Sequence, residues 1–260
     1  MTKKQFNLHD SKYFQNGELI GKKGGDAVRL SLPPFNQEQR DIIVGTMLGD
    51  GTMGYRGDKP RYAMKFEQSM EHEEYIFHLF EVFRNYVGTG PRIRFLSRNK
   101  DEIIPKSIWF RTFIVDEFKF YWDLFYGVSE VSPTERKILD SGEEKTGVDE
   151  QKKKLVKIVP LNIEDFLTDR VLAYWFMDDG TFHVDIKDKV RSYTLNTQGF
   201  TSSDNVRLKD ALKLKFNIVS GIQKDKDKFR IGIWRESSDQ FVCTIKPYLH
   251  KDFYYKIGED

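Results

Sequence analysis

The sequence predicts an α+β protein made of two pseudo-symmetric αββαββα halves. Three observations predict it. An apolar run ending in Asp-Gly occurs twice, as IVGTMLGDG at 43–51 and as LAYWFMDDG at 172–180. After each run the same series follows: a strand-like segment ending in glutamine, a helical segment, two basic strand-like segments and a closing amphipathic segment. Between the two series lies a charged stretch poor in apolar residues, SGEEKTGVDEQKKK.

Taken in order, residues 1–34 read as an irregular N-terminal extension, broken by Gly21, Gly24, Gly25, Pro33 and Pro34. Its lysines, Lys3, Lys4, Lys12, Lys22 and Lys23, fit either a solvated arm or a contact with nucleic acid. The first half spans 35–126. Its apolar run carries no charge until its C-terminal end, which marks a buried helix. Gly45 and Gly49 lie four residues apart on one face and admit a closely packed partner helix. Gln68 ends a strand 18 residues after Asp50. A helix over about 71–86 places Tyr75, Leu79, Val82, Phe83 and Tyr86 at helical spacing, and strands over about 91–97 and 106–114 precede an amphipathic segment at about 115–126.

Residues 127–157 read as the linker between halves, and 158–260 as the second half. There Gln198 ends a strand 19 residues after Asp179, and Thr201-x-x-Asp204 opens a helix over about 202–216 as a capping box would. Strands over about 218–224 and 228–235 and a segment over about 237–249 complete it. Tyr174 occupies the position of Gly45 and is expected to fill the space that glycine leaves.

Composition excludes several classes. The single cysteine, Cys243, excludes an internal disulfide and a cysteine-built zinc site and fits a reducing compartment. No 18-residue apolar run exists, so no membrane-spanning helix is expected, and the N-terminus lacks the apolar core of a secretory signal. An organelle-encoded protein of a mitochondrion or chloroplast, or a bacterial cytoplasmic one, is expected rather than a secreted one. The chain opens with Met and ends without a His-Asn pair, so it reads as free-standing rather than as part of an intein. Net charge is only +2, yet basic residues gather at 92–111 and 224–235 while acidic ones gather at 71–74 and 140–150. A near-neutral chain can therefore present a basic face.

The two Asp-Gly ends carry the chemistry. One apolar run before Asp-Gly is ordinary, because glycine often follows a helix end. Two such runs, each followed by a strand-ending glutamine, are not. If the two helices pack side by side, Asp50 and Asp179 meet at their C-terminal ends. There two carboxylates repel each other and face the negative ends of two helix dipoles. Hard divalent cations relieve that repulsion and share their oxygen ligands with phosphate. The arrangement points to metal-dependent phosphodiester hydrolysis, with a hard cation such as Mg²⁺.

IVGTMLGDG and LAYWFMDDG resemble the paired motifs of the LAGLIDADG homing endonuclease family, and the whole of 36–258 is similar to its compact single-chain, intron-encoded branch. LNTQGFT and IKPYL extend the likeness of the second half. The resemblance implies a monomeric saddle whose antiparallel sheets lie on double-stranded DNA, cutting both strands. It implies metal-binding aspartates at Asp50 and Asp179, with Gly49 and Asp178 offering backbone carbonyls. Asp178 beside Asp179 departs from the small residue of the family motif. Lys157 and Lys256 match the family's active-site lysines, and Gln68 and Gln198 its water-orienting polar residues. Mg²⁺ is the expected ion, with Mn²⁺ as a substitute and Ca²⁺ binding without supporting cleavage.

Alternation along the basic strands puts DNA-reading side chains on one face. The candidates are Arg61, Lys65, Arg92, Arg94, Arg98, Lys106 and Arg111 in the first half. In the second they are Arg191, Lys224, Lys226, Lys228, Arg230 and Arg235. Two other readings use the same fold: a maturase that binds intron RNA and a non-catalytic nucleic-acid binder. A pure binder has no need of paired carboxylates beside phosphates, which favours the nuclease.

Overall fold

A computed structural model of the chain describes residues 32–56, 59–99, 102–130, 153–185 and 190–259. The first half opens with helix α1 (Gln37–Leu48), started by a capping box: Gln39 N donates to Asn36 Oδ1 at 2.8 Å and Asn36 N to Gln39 Oε1 at 3.0 Å. Strands β1 (Thr52–Arg56), β2 (Lys59–Ser69), β3 (Arg92–Asn99) and β4 (Glu102–Arg111) form an antiparallel sheet in the order β1-β2-β4-β3. Helices α2 (Glu73–Val82) and α3 (Glu117–Phe125) pack against it. In the second half, helix α4 (Asp169–Asp179) is capped by Thr168, whose Oγ1 accepts from Val171 N at 3.1 Å.

Strands β7 (Gly180–Asp185), β8 (Val190–Leu195), β9 (Ser220–Asp225) and β10 (Lys228–Ile233) repeat the same sheet order, β7-β8-β10-β9. Helices α5 (Ser202–Phe216) and α6 (Ser238–Ile245) repeat the helical layer, and the capping box of Thr201 and Asp204 is present at the start of α5. The duplicated α+β architecture is the one the repeat predicts.

Each sheet is two-faced for the reason alternation gives. Phe66, Ile108 and Phe110 of the first sheet, and Tyr193, Leu195, Ile231 and Ile233 of the second, turn inward and are buried. Phe35 binds the first half together, with its ring 4.7 Å from Tyr86 and 4.8 Å from Phe118.

Two expectations differ from the structure. The helix expected over 71–86 is α over Glu73–Val82 only, with 3₁₀ turns at Met70–His72 and Arg84–Tyr86. The stretch 127–157, read as linker throughout, is bounded by strands. β5 (Tyr126–Glu130) pairs antiparallel with β6 (Lys153–Lys157), with Tyr126 opposite Lys157 and Val128 opposite Leu155. The intervening 131–152 and the extension 1–31 lie outside the described residues. Charged composition marked this region as a loop, but Val128, Leu155 and Val156 sit among its charges and supply a short apolar alternation.

Helices α1 and α4 lie side by side and join the halves. Three pairs of equivalent positions meet across this seam, at nine, five and one residues before the motif aspartates. Arg170 Nη1 lies 3.6 Å from Asp41 Oδ2. A Cβ on Gly45 would lie 2.7 Å from Tyr174 Cβ and 2.7 Å from Val171 O, and one on Gly49 would lie 2.5 Å from Asp178 Cβ. Tyr174 therefore does fill the space at Gly45. The four-residue step keeps all three pairs on one helical face, and each pair is complementary: acid with base, or glycine with a large side chain.

Candidate active site at the helix ends

The close approach of α1 and α4 carries their C-terminal aspartates into one cluster. Asp179 is pushed up to about 7, first by burial and then by the charge of Asp50 beside it, while Lys157 and Lys256 pull it down. Asp50 is also raised, chiefly by burial, against the lowering influence of Gln68, Lys157 and Lys256. The backbone N of Asp50 lies 3.2 Å from Oδ2 of Asp178, the residue before Asp179, so the two helix ends meet.

The lysines at the end of each half reach the same place. Lys157, the last residue of β6, donates from Nζ to Gly49 O at 2.6 Å. Lys256, in the 3₁₀ segment Lys251–Ile257, donates to Met177 O at 2.7 Å. Burial pushes both amines below the usual lysine range, and Asp50, Asp178 and Asp179 oppose that shift. The Lys157 carbonyl partner is the one proposed as a metal ligand, Gly49. In the second half the carbonyl engaged is that of Met177 rather than Asp178.

Asp178 uses its side chain instead. Its Oδ2 accepts from Asp50 N at 3.2 Å and its Oδ1 from Gln68 Nε2 at 3.0 Å. Burial, then Asp50 and Asp179, hold its carboxyl well above the usual carboxylate range. Gln68 Nε2 also reaches Asp50 Oδ2 at 3.3 Å.

Gln198 goes elsewhere: its Nε2 donates to Asp225 Oδ2 at 3.0 Å. Strand register explains the difference. Thr52 pairs with Lys65 and Thr181 with Thr194, so Lys65 and Thr194 are equivalent. Counting on by three, Gln68 corresponds to Thr197, which is buried and hydrogen-bonded to Asn205. Gln68 lies within β2, whereas β8 ends at Leu195 and Gln198 sits in the turn beyond it rather than at a strand end, and the unequal spacings of 18 and 19 were the signal. Asn196, which the sequence reading did not single out, donates from its backbone N to Asp179 O at 2.9 Å and from Nδ2 to Thr181 Oγ1 at 2.7 Å.

The basic residues divide by face. In the first sheet Lys65 stands opposite Arg111, Glu67 opposite Trp109, and Arg92 and Arg94 opposite Trp109 and Ser107, so these residues share the outer face. Arg61 has the same parity. Lys65 Nζ lies 5.5 Å and Arg92 Cζ 5.9 Å from the centre of the Trp109 ring. Glu67 accepts from Ser107 Oγ at 2.6 Å, from Arg94 Nη1 at 3.2 Å and from Lys65.

In the second sheet Lys228 and Arg230 lie on the outer face, opposite Asp225 and Gln223, and Lys226 sits in the turn between the strands with φ 58°. Lys224 stands opposite inward-turned Phe229 and Arg191 shares parity with Tyr193, whereas Lys106 sits where the β3–β4 register shifts and alternation assigns it no face. Lys224 and Arg191 are not on the outer face by alternation. Arg235 has left the sheet for a 3₁₀ turn, and the side chain of Arg98 lies outside the described residues.

Duplicated sheets joined at a seam that concentrates acids and lysines define a pseudo-twofold protein with one shared carboxylate centre. Comparison with known proteins gives that class its family. The LAGLIDADG DNA endonuclease family matches residues 40–139 and 150–241. DNA endonuclease I-ChuI of Chlamydomonas applanata is 30% identical over 236 residues, 86% of this chain and 96% of that protein. The cytochrome b mRNA maturase bI2 of Saccharomyces cerevisiae is 25% identical over 256 residues, 96% of this chain but 54% of that protein.

Among solved structures, the homing endonuclease I-WcaI bound to its DNA recognition sequence shares the fold. It has a TM-score of 0.69 and 24% identity, with 89% of this chain and 90% of that one covered. The chain belongs to the LAGLIDADG DNA endonuclease family.

Proposed function

We propose that this chain is a site-specific endonuclease that hydrolyses one phosphodiester bond in each strand of duplex DNA, using a divalent cation at Asp50 and Asp179. The observation that carries the reading is the delivery of both acids to one cluster by adjacent helices, with Lys157 and Lys256 beside them.

The donor set fits a divalent cation. Raised carboxylates that only two lysines partly compensate are the environment a hard cation relieves. Among the described residues no three acid, histidine or cysteine side chains form a closed cage. A hard divalent cation of this kind is commonly held by one or two carboxylates and completed by phosphate oxygens. Asp50 and Asp179 would hold it, and when bound it would supply an activated water and a stabilised leaving oxygen. Mg²⁺ is the ion we favour, with Mn²⁺ as a substitute and Ca²⁺ as a non-supporting occupant.

The chain's own residues do the rest. Lys157 and Lys256 place positive charge where a scissile phosphate would lie, and Gln68 restrains the Asp50 carboxylate by its amide. Arg61, Lys65, Arg92, Arg94, Arg111, Lys228 and Arg230 supply the outer-face contacts to duplex DNA. One chain contributes both aspartates, so a monomer completes the site. Similarity to a probable intron-encoded DNA endonuclease of Mycosarcoma maydis and to the intron-encoded endonuclease ai4 of Dictyostelium discoideum supports an intron-encoded origin, for which an organelle is the compartment we favour. Similarity to a maturase along nearly the whole chain supports intron RNA as a second partner, to be tested by splicing rescue.

The test begins with cleavage-site selection on a randomised duplex library, with and without Mg²⁺. On the selected target, Asp50→Asn and Asp179→Asn each lower double-strand cutting by roughly a thousandfold, the upper scale for losing one preorganised electrostatic group. Target binding in a gel-shift assay stays within a few-fold. Normal cutting by either variant removes that residue from the site.

A further inference from the structure

We propose that Asp178 is a positioning residue, lent by the second half to the Asp50 site of the first, and that the two strand-cutting sites are therefore unequally supported. The inference rests on the endonuclease reading above and extends it to the division of labour between the halves.

Positions 49 and 178 are equivalent, each one residue before its motif aspartate. Position 49 is glycine, and a Cβ there would lie 2.5 Å from Asp178 Cβ. The side chain of Asp178 therefore crosses the seam into space that only glycine leaves free. Its two oxygens hold two parts of the first site. Oδ2 accepts from the backbone N of Asp50 at 3.2 Å, and Oδ1 accepts from Gln68 Nε2 at 3.0 Å. The same Gln68 nitrogen touches Asp50 Oδ2 at 3.3 Å. One carboxylate thus fixes the main chain of Asp50 and the amide that meets its carboxyl oxygen.

The reverse arrangement is missing. Gly49 has no side chain to lend to Asp179. Gln198, one residue past the counterpart of Gln68, bonds Asp225, and the counterpart itself, Thr197, bonds Asn205. The described contact at Asp179 is to its backbone oxygen, from Asn196 N at 2.9 Å. Enclosing a carboxylate beside two others costs stability. A residue that only filled the gap at Gly49 would be better served by an apolar side chain. The pair of hydrogen bonds gives the acid a purpose, because misplacing a reacting group slows chemistry steeply.

The test follows each strand separately, using the full chain, a doubly end-labelled target duplex and a supercoiled plasmid carrying the target. The wild-type ratio of the two strand rates is the baseline. Asp178→Ala, which keeps the backbone, is expected to slow one strand about tenfold or more relative to the other, the scale of losing a residue that orients a metal ligand. Nicked circles then accumulate while target binding is retained. Asp178→Asn, which keeps an acceptor for Asp50 N, falls between Ala and wild type. Gln68→Ala leaves the seam closed, so it keeps the test open if Asp178→Ala fails to fold, and it biases the same strand.

Equal slowing of both strands by Asp178→Ala or Gln68→Ala, or no slowing, overturns the proposal. Asp50→Asn is run beside them: if it is inactive while Asp178→Ala keeps the wild-type strand ratio, only the positioning role is lost. If Asp50→Asn cuts normally, the site assignment itself is lost.

Discussion

At the scale of single residues, the site is a place where charge is held against its preference. Asp179 has its carboxyl pushed up to about 7 by burial and by Asp50, whereas the unfolded chain ionises it near 3.8. Between those values the folded state keeps a proton that the unfolded state has lost, so this group lowers stability as pH rises through that window. Half-buried His72, His78 and His250 are shifted down and act in the opposite sense, so wild type alone does not isolate the effect. The difference between Asp179→Asn and wild type does. In metal-free buffer the variant's advantage in melting temperature is expected to be absent near pH 4, to grow up to about pH 7 and then to level off. Added Mg²⁺ should favour wild type at pH 8. An advantage that stays flat across this range would show that Asp179 is not held against ionisation.

The helices α1 and α4 set which halves can meet. Equivalent positions carry unlike residues: Asp41 against Arg170, Gly45 against Tyr174 and Gly49 against Asp178. Two first halves would oppose Asp41 to its copy and leave a gap at Gly45. Two second halves would oppose Arg170 to Arg170 and drive Tyr174 into itself. Asp41→Arg or Arg170→Asp, each leaving like charges at a partly buried pair, is expected to cost about 3 kcal/mol in urea unfolding. The double exchange should recover at least half of that, since contacting residues are energetically coupled. No recovery would mean that Asp41 is stabilised by Gln37, whose Nε2 donates to it at 2.7 Å, rather than by Arg170. Gly45 and Tyr174 were legible as a pair because the motif alignment sets small against large. Asp41 and Arg170 were not, because a charge one turn into a helix looks like a surface residue until its neighbour is known.

For the whole molecule, a net charge of +2 conceals a basic outer face on the first sheet, where Lys65, Arg92, Arg94 and Arg111 outnumber Glu67. Trp109 anchors Lys65 and Arg92 there, and Glu67 takes up part of the charge of Lys65 and Arg94. Binding of the target duplex should fall about a thousandfold between 50 and 200 mM salt, as expected when six or more phosphates are neutralised. A fluorescence-anisotropy titration in which affinity barely moves would argue against a phosphate-tracking saddle. Substituting Arg98 tests a residue whose side chain lies outside the described set. Arg191 and Lys224 should contribute less than Arg230, because alternation turns them from the outer face.

Local order determined much of this protein. The repeat, the two motif aspartates and the strand and helix sequence of each half follow from periodicities and offsets written along the chain, and the resemblance to the family adds the lysines that close the halves. Packing decided what lies between the segments: the ribbon at Tyr126 and Lys157, the diversion of Gln198 to Asp225, and the turn of the Asp178 carboxylate toward Asp50. The physical reason is distance along the chain. A hydrophobic period reports which face an element buries, but not which side chain, anywhere from 27 to 128 residues away, will stand opposite it.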